Sequence, residues 1–66
     1  KTAVKWYKKA AEQGFTDSQY NLGVLYLAGE GVTQSLKDAA FWIKKARDKG
    51  HQYADIPWDK YQLWKY

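Results

Sequence analysis

The chain has 66 residues, a formal charge of +4 from 11 Lys and Arg against 7 Asp and Glu, and no cysteine. A domain this small buries only about 60% of the surface its unfolded chain exposes, and without cysteine it has no disulfide framework, thiolate metal site or cysteine nucleophile. No apolar run approaches the roughly 20 residues that span a bilayer, so no membrane insertion is expected.

Along the chain the signals are helical. From Thr2 to Gln13 the apolar residues Ala3, Val4, Trp6, Tyr7, Ala10 and Ala11 recur at steps of three and four, and Gly14 follows as a left-handed stop; this predicts a helix over 2–13. Thr16-x-x-Gln19 has the form of a capping box and opens a second helix over 17–28, which carries Tyr20, Leu22, Gly23, Val24, Tyr26 and Leu27. Gly29-Glu30-Gly31 ends it, the glycines permitting positive φ and Val32 tucking under the reversal. Ser35 is the next cap, with Asp38 in the first turn, for a helix over 35–49 whose buried stripe is Ala39, Ala40, Trp42, Ile43 and Ala46 and whose stop is Gly50. A last helix is predicted over 57–65, with Pro57 in its first turn. No strand pattern is present. Four Trp, six Tyr and two Phe supply most of the large apolar surface, so these rings are expected to form the core.

An internal repeat organises these elements. Ala3, Trp6, Lys8, Lys9, Ala10 and Gly14 return 36 residues later as Ala39, Trp42, Lys44, Lys45, Ala46 and Gly50, with Glu12 answered by Asp48. A period in the mid-thirties fits two helices and two short loops, the unit of a stacked helix-turn-helix array. The expected fold class is therefore all-α, an α/α helix-turn-helix repeat of about four helices. Gly23 sits inside a helix, where it costs roughly 0.8–1.0 kcal/mol relative to Ala, and the expected reason for it is close approach of a neighbouring helix. Ala3, Ala10, Ala39 and Ala46 would supply the complementary small sites.

The two copies, Ala3-x-x-Trp6-Tyr7-Lys-Lys-Ala10-Ala11-Glu12-Gln13-Gly14 and Ala39-x-x-Trp42-Ile43-Lys-Lys-Ala46-x-x-x-Gly50, resemble the second helix of a Sel1-like repeat, a relative of the tetratricopeptide repeat. Between them, Gln19-Tyr20-Asn21-Leu22-Gly23-x-x-Tyr26-x-x-Gly29-x-Gly31-Val32 is similar to that family's first helix and glycine loop. The resemblance implies a division into the second helix of a preceding repeat (1–14), one complete repeat (15–50) and a C-terminal capping helix (51–66). At 56–59, where Tyr20-Asn-Leu-Gly23 would recur, Ile56-Pro-Trp-Asp59 stands instead. Trp58, Tyr61, Leu63 and Trp64 are then expected to close the last unit, while the first helix, lacking its partner, leaves an end open to self-association through Val4, Trp6, Tyr7 and Ala11.

For function, the resemblance implies a non-catalytic module that holds a protein or peptide on the concave side of the stack. It assigns Leu22, Gly23 and Tyr26 to internal packing, and Asp17, Tyr20, Asn21, Val24 and Leu27 to the concave surface. No catalytic residue, metal ligand or cofactor is expected. His51, the lone histidine, reads as a solvated connector residue after Gly50, and no serine has a nucleophile-elbow context. The alternative partner is nucleic acid or another polyanion, met by an outer ridge of Lys5, Lys8, Lys9, Lys44, Lys45, Arg47 and Lys49. Against that ridge stand acids at i, i+4 spacing, Lys8/Glu12 and Lys44/Asp48, the pattern of a solvated helix face.

Overall fold

The structure, a computed structural model, describes residues 2–66, with side-chain environments from residue 4 onward. Four helices follow one another: α1 (Thr2–Glu12), α2 (Thr16–Ala28), α3 (Leu36–Asp48) and α4 (Asp55–Lys60), with a 3₁₀ turn at Leu63–Lys65. There is no strand among the described residues, and the chain is all-α. Helix α2 packs between α1 and α3, and α3 carries both α4 and the 3₁₀ turn.

The helix stops are local chemistry. Gly14 adopts φ +99° and Gly50 φ +87°. After α1, Phe15 N donates to Ala10 O and Gly14 N to Ala11 O; after α3, His51 N donates to Ala46 O and Gly50 N to Arg47 O. Each set is a Schellman cap, in which a left-handed residue lets two backbone N–H groups reach back to orphan carbonyls. The repeat of period 36 is thus a repeat of cap geometry as well as of sequence. At the α2 end Gly29 is left-handed, and the Gln34 amide donates to Leu27 O at 2.8 Å, satisfying one more terminal carbonyl. Ser35 caps α3 by accepting a hydrogen bond from Asp38 N at 3.1 Å.

The start of α2 departs from expectation. Its cap position is Phe15, and Thr16 is already helical. The capping box does not form because Gln19 is turned inward: it is 3% exposed, and its Nε2 donates to Ala11 O at 3.1 Å, tying α2 to α1. The side chain that would have closed the box serves a tertiary bond.

The core also differs. Its buried members are Ala11, Leu22, Leu27, Ala39, Ala40, Ile43, Ala46, Ala54 and Leu63, with no aromatic ring among them. Tyr20, Tyr26 and Trp58 pack against the edge of this cluster, whereas Trp6, Phe15, Phe41, Tyr53, Tyr61, Trp64 and Tyr66 are exposed. Helices that approach through Ala and Gly leave no room for rings between them, so the rings are displaced to the rim. The close approach is seen at Gly23, where a Cβ would lie 2.6 Å from two atoms of the fully buried Ile43 side chain. Ala39 and Ala46 are fully buried and Ala10 half-buried; the Ala3 side chain lies outside the described ones.

The C-terminal segment is shorter than the expected 57–65 helix. α4 ends at Lys60, and Gln62 takes the left-handed conformation (φ 52°, ψ 48°), turning Leu63 into the core. Leu63 and the half-buried Trp58 close this end, while Trp64 and Tyr61 stay exposed. Arg47 lies 5.3 Å from the Trp58 ring centroid and pairs with Asp55 at 2.6 Å, which seats α4 on α3.

Candidate functional site

A groove of about 250 Å³ runs between α2 and α4. One wall is Tyr20, Val24, Leu27 and Ala28, spaced to share a face of α2; the other is Ile56, Pro57, Lys60 and Tyr61. Tyr20 and Val24 are half-buried, and Leu27 is buried, its side chain shared between the core and the groove. Ile56 is 61% exposed and Tyr61 43% exposed, so the α4 wall offers apolar surface to solvent. The Lys60 ammonium sits 5.6 Å from the Tyr61 ring centroid, placing one cation at the margin.

The end of the groove is fixed by the α3–α4 turn. The His51 ring stacks on Tyr20 with centroids 4.4 Å apart and planes 12° from parallel. Tyr53 N donates to His51 Nδ1 at 3.1 Å, which leaves Nε2 as the protonated nitrogen of the neutral ring, and Nε2 lies 3.1 Å from Asp17 Oδ1. The His51 side chain is only 10% exposed. It is therefore no solvated connector: the Schellman cap at Gly50 folds the next residue back over α2, where the imidazole fixes the Tyr20 ring. The partner carboxylate is almost fully exposed, so the Asp17 contact is screened and orients the ring more than it stabilises the fold.

Of the five residues expected on the concave surface, Tyr20, Val24 and Leu27 lie together in the groove. Asp17 stands beyond its end, joined to Tyr20 through His51. Asn21 is half-buried, outside the groove lining, and makes no side-chain hydrogen bond among the described residues. The opposite wall is not evident from the sequence, where Ile56, Lys60 and Tyr61 fall within the expected capping segment 51–66. The repeat period held the signal, since Ile56 and Lys60 lie 36 residues after Tyr20 and Val24. Among the described residues there is no cluster of His, Asp and Glu that would hold a metal ion, and no helix is long and apolar enough to cross a membrane.

The family model described as Sel1 repeat matches residues 1–15 and 16–51. Two sel1-like repeat-containing proteins of Acanthamoeba polyphaga mimivirus are similar to the chain. One is 33% identical over 52 residues, covering 79% of this chain and 10% of the relative; the other is 38% identical over 49 residues, covering 74% and 8%. The chain thus spans about a tenth or less of the length of these relatives. No solved structure matches it significantly.

Proposed function

Because this chain belongs to the Sel1 repeat family, whose repeats are generally protein-interaction modules, we propose that it is a non-catalytic module holding an extended segment of a protein partner in the groove between α2 and α4. The observation that carries this reading is the groove itself, in which Tyr20, Val24 and Leu27 face the solvent-exposed Ile56 and Tyr61 across an apolar channel. Tyr20 is the anchor. Its ring is held by His51 before any partner arrives, so little rotamer freedom remains to be lost on binding. In this proposal Asp17 and Asn21 flank the anchor and meet main-chain donors and acceptors of the partner, while Lys60 favours an acidic residue beside the apolar ones. The division into a preceding second helix (1–14), one complete repeat (15–50) and a C-terminal cap (51–66) belongs to the same proposal, with the amendment that the cap supplies half of the groove.

The alternative, a basic ridge for nucleic acid, gains no support from the placement of its lysines. Lys49 donates to Gly14 O at 2.6 Å, Lys45 lies over the Phe41 ring and Arg47 pairs with Asp55, so three of its cations are already engaged within the chain.

The test is selection of peptides displayed on phage against the 66-residue chain, followed by mapping with amide chemical shifts. Selected peptides should shift Tyr20, Val24, Leu27 and Ile56. Since Ile56 is exposed, Ile56→Asp should leave the melting midpoint in place yet weaken binding by about tenfold or more, the cost of losing one apolar anchor. Peptides that map elsewhere, or that bind the Ile56→Asp chain equally well, would refute the assignment.

A further inference from the structure

On the opposite side of α2 a second groove, of about 500 Å³, lies between α1 and α3. It is lined by Ala11, Glu12 and Gly14 from the α1 end, by Gln19 from α2, and by Trp42, Lys45, Asp48 and Lys49 from α3. The Gln19 amide is 3% exposed; its Nε2 donates to Ala11 O, but its Oε1 has no donor among the described residues. A buried acceptor without a donor is costly, so its retention calls for a partner that supplies an N–H or O–H.

The other lining groups narrow the chemistry. Glu12 and Asp48 are both exposed, and neither has an ion-pair partner among the described residues. The half-buried Trp42 ring supplies an aromatic wall. An uncompensated amide oxygen, two unpaired carboxylates and an indole all favour a planar cation rich in donors. Two lysines in the lining oppose it, but one ammonium is bonded to the Gly14 carbonyl at 2.6 Å and the other lies 4.8 Å from the Phe41 ring centroid. The net charge of +4 also disfavours a cation at long range, though that field is screened beyond about 8 Å at physiological salt.

We infer that the α1–α3 groove is a second binding site, which takes an arginine side chain of a protein partner. The guanidinium stacks on Trp42, meets Glu12 and Asp48 at the rim, and donates to Gln19 Oε1, which lies just beneath the lining and is reached as the amide turns towards the groove; it carries five donors in a fixed plane and no acceptor, which suits the three acceptor side chains of this lining. This site is separate from the α2–α4 groove and does not depend on it.

The experiment is a titration of the isotope-labelled 66-residue chain with three acetylated, amidated tripeptides, Gly-Arg-Gly, Gly-Lys-Gly and Gly-citrulline-Gly, at fixed ionic strength. The Gln19 side-chain amide and the Trp42 indole N–H are the probes. Expected are saturable shifts of both with the arginine peptide and about tenfold weaker binding of the lysine and citrulline peptides, which lack the planar fork and the charge respectively. Gln19→Leu should reduce the preference for arginine several-fold. The double variant Glu12→Gln, Asp48→Asn changes only exposed positions, so it keeps the fold and should weaken the arginine peptide by several-fold. Linear, unsaturable shifts, equal binding of all three peptides, or indifference to the double variant would each overturn the proposal. None of these outcomes bears on the Ile56 test of the other groove.

Discussion

At the junction of α1 and α2, Gln19 reaches back to the carbonyl of Ala11; 36 residues later, at the junction of α3 and α4, Asp55 reaches back to the side chain of Arg47. The positions are equivalent, 11 with 47 and 19 with 55, and the two preceding helices end in the same Schellman cap. Yet the first contact is a buried amide–carbonyl bond and the second an exposed ion pair. The residues after the caps have changed roles in the opposite sense: Phe15 is exposed, whereas its counterpart His51 is folded in against Tyr20. A repeat therefore preserves backbone geometry while leaving the chemistry of each junction free. At the first junction small side chains let helices meet closely; at the second, long side chains hold a short helix at its margin, which leaves the α2–α4 groove open.

The largest expected effect sharpens this contrast at Gly23 and its counterpart Asp59. A Cβ at Gly23 would lie 2.6 Å from the Cγ1 and Cδ1 atoms of Ile43, which is fully buried, while Asp59 stands exposed. Gly23→Leu should destabilise the fold by about 1–3 kcal/mol through overpacking, despite the better helix propensity of leucine. Asp59→Ala should stay within about 0.5 kcal/mol. Thermal melts of both variants decide it, and equal midpoints would show that the α2–α3 contact is no closer than that of α4.

The two cap glycines come next. Both are left-handed, so replacement by alanine should cost about 1–2 kcal/mol at either site from backbone strain. A Cβ at Gly50 meets nothing within 4 Å, but one at Gly14 comes within 3.3 Å of Lys49 Nζ, the group bonded to the Gly14 carbonyl. Gly14→Ala should then exceed Gly50→Ala by a few tenths of a kcal/mol, and Lys49→Met should remove the difference. Denaturant midpoints resolve such a gap when both variants share one slope.

What was legible in the sequence was what a few neighbouring residues decide. Glycine stops, the Ser35 cap and the tight approach at Gly23 follow from backbone sterics within one turn or from a cost that needs a reason. Tertiary choices were hidden. Gln19 reads as a capping residue until the nearby Ala11 carbonyl is known, and His51 reads as a loop residue until the cap at Gly50 directs it onto Tyr20. The aromatic residues suggested a core of rings because size predicts burial on average, whereas here the Ala-lined interfaces push them outward. Half of the candidate groove was readable on α2. The α4 half was masked by the missing glycine at Asp59, although that glycine answers to Ile43 beneath Gly23 and has no bearing on whether Ile56 and Lys60 keep their places in the period.

The smallest effect separates the two junctions by their response to salt. Arg47 Nε lies 2.6 Å from Asp55 Oδ1, but both side chains are substantially exposed, so Asp55→Asn should cost about 0.2–1 kcal/mol. Arg47→Ala should cost more than Asp55→Asn, because it also removes the guanidinium from the face of Trp58. Gln19→Leu should change stability by no more than about 1 kcal/mol in either direction: it deletes the donor to Ala11 O, but that carbonyl still accepts from Gly14 N at 3.0 Å, and the unpaired Oε1 is removed with the amide. The distinction lies in screening. At 1 M salt the Debye length falls to about 3 Å, so the cost of Asp55→Asn should shrink towards zero while that of Gln19→Leu stays where it was. Urea melts of the three chains at low and high salt make the comparison. A salt-independent cost for Asp55→Asn would mean that the carboxylate holds the α4 start by its hydrogen bond rather than by its charge, and that the two junctions differ less than their residues imply.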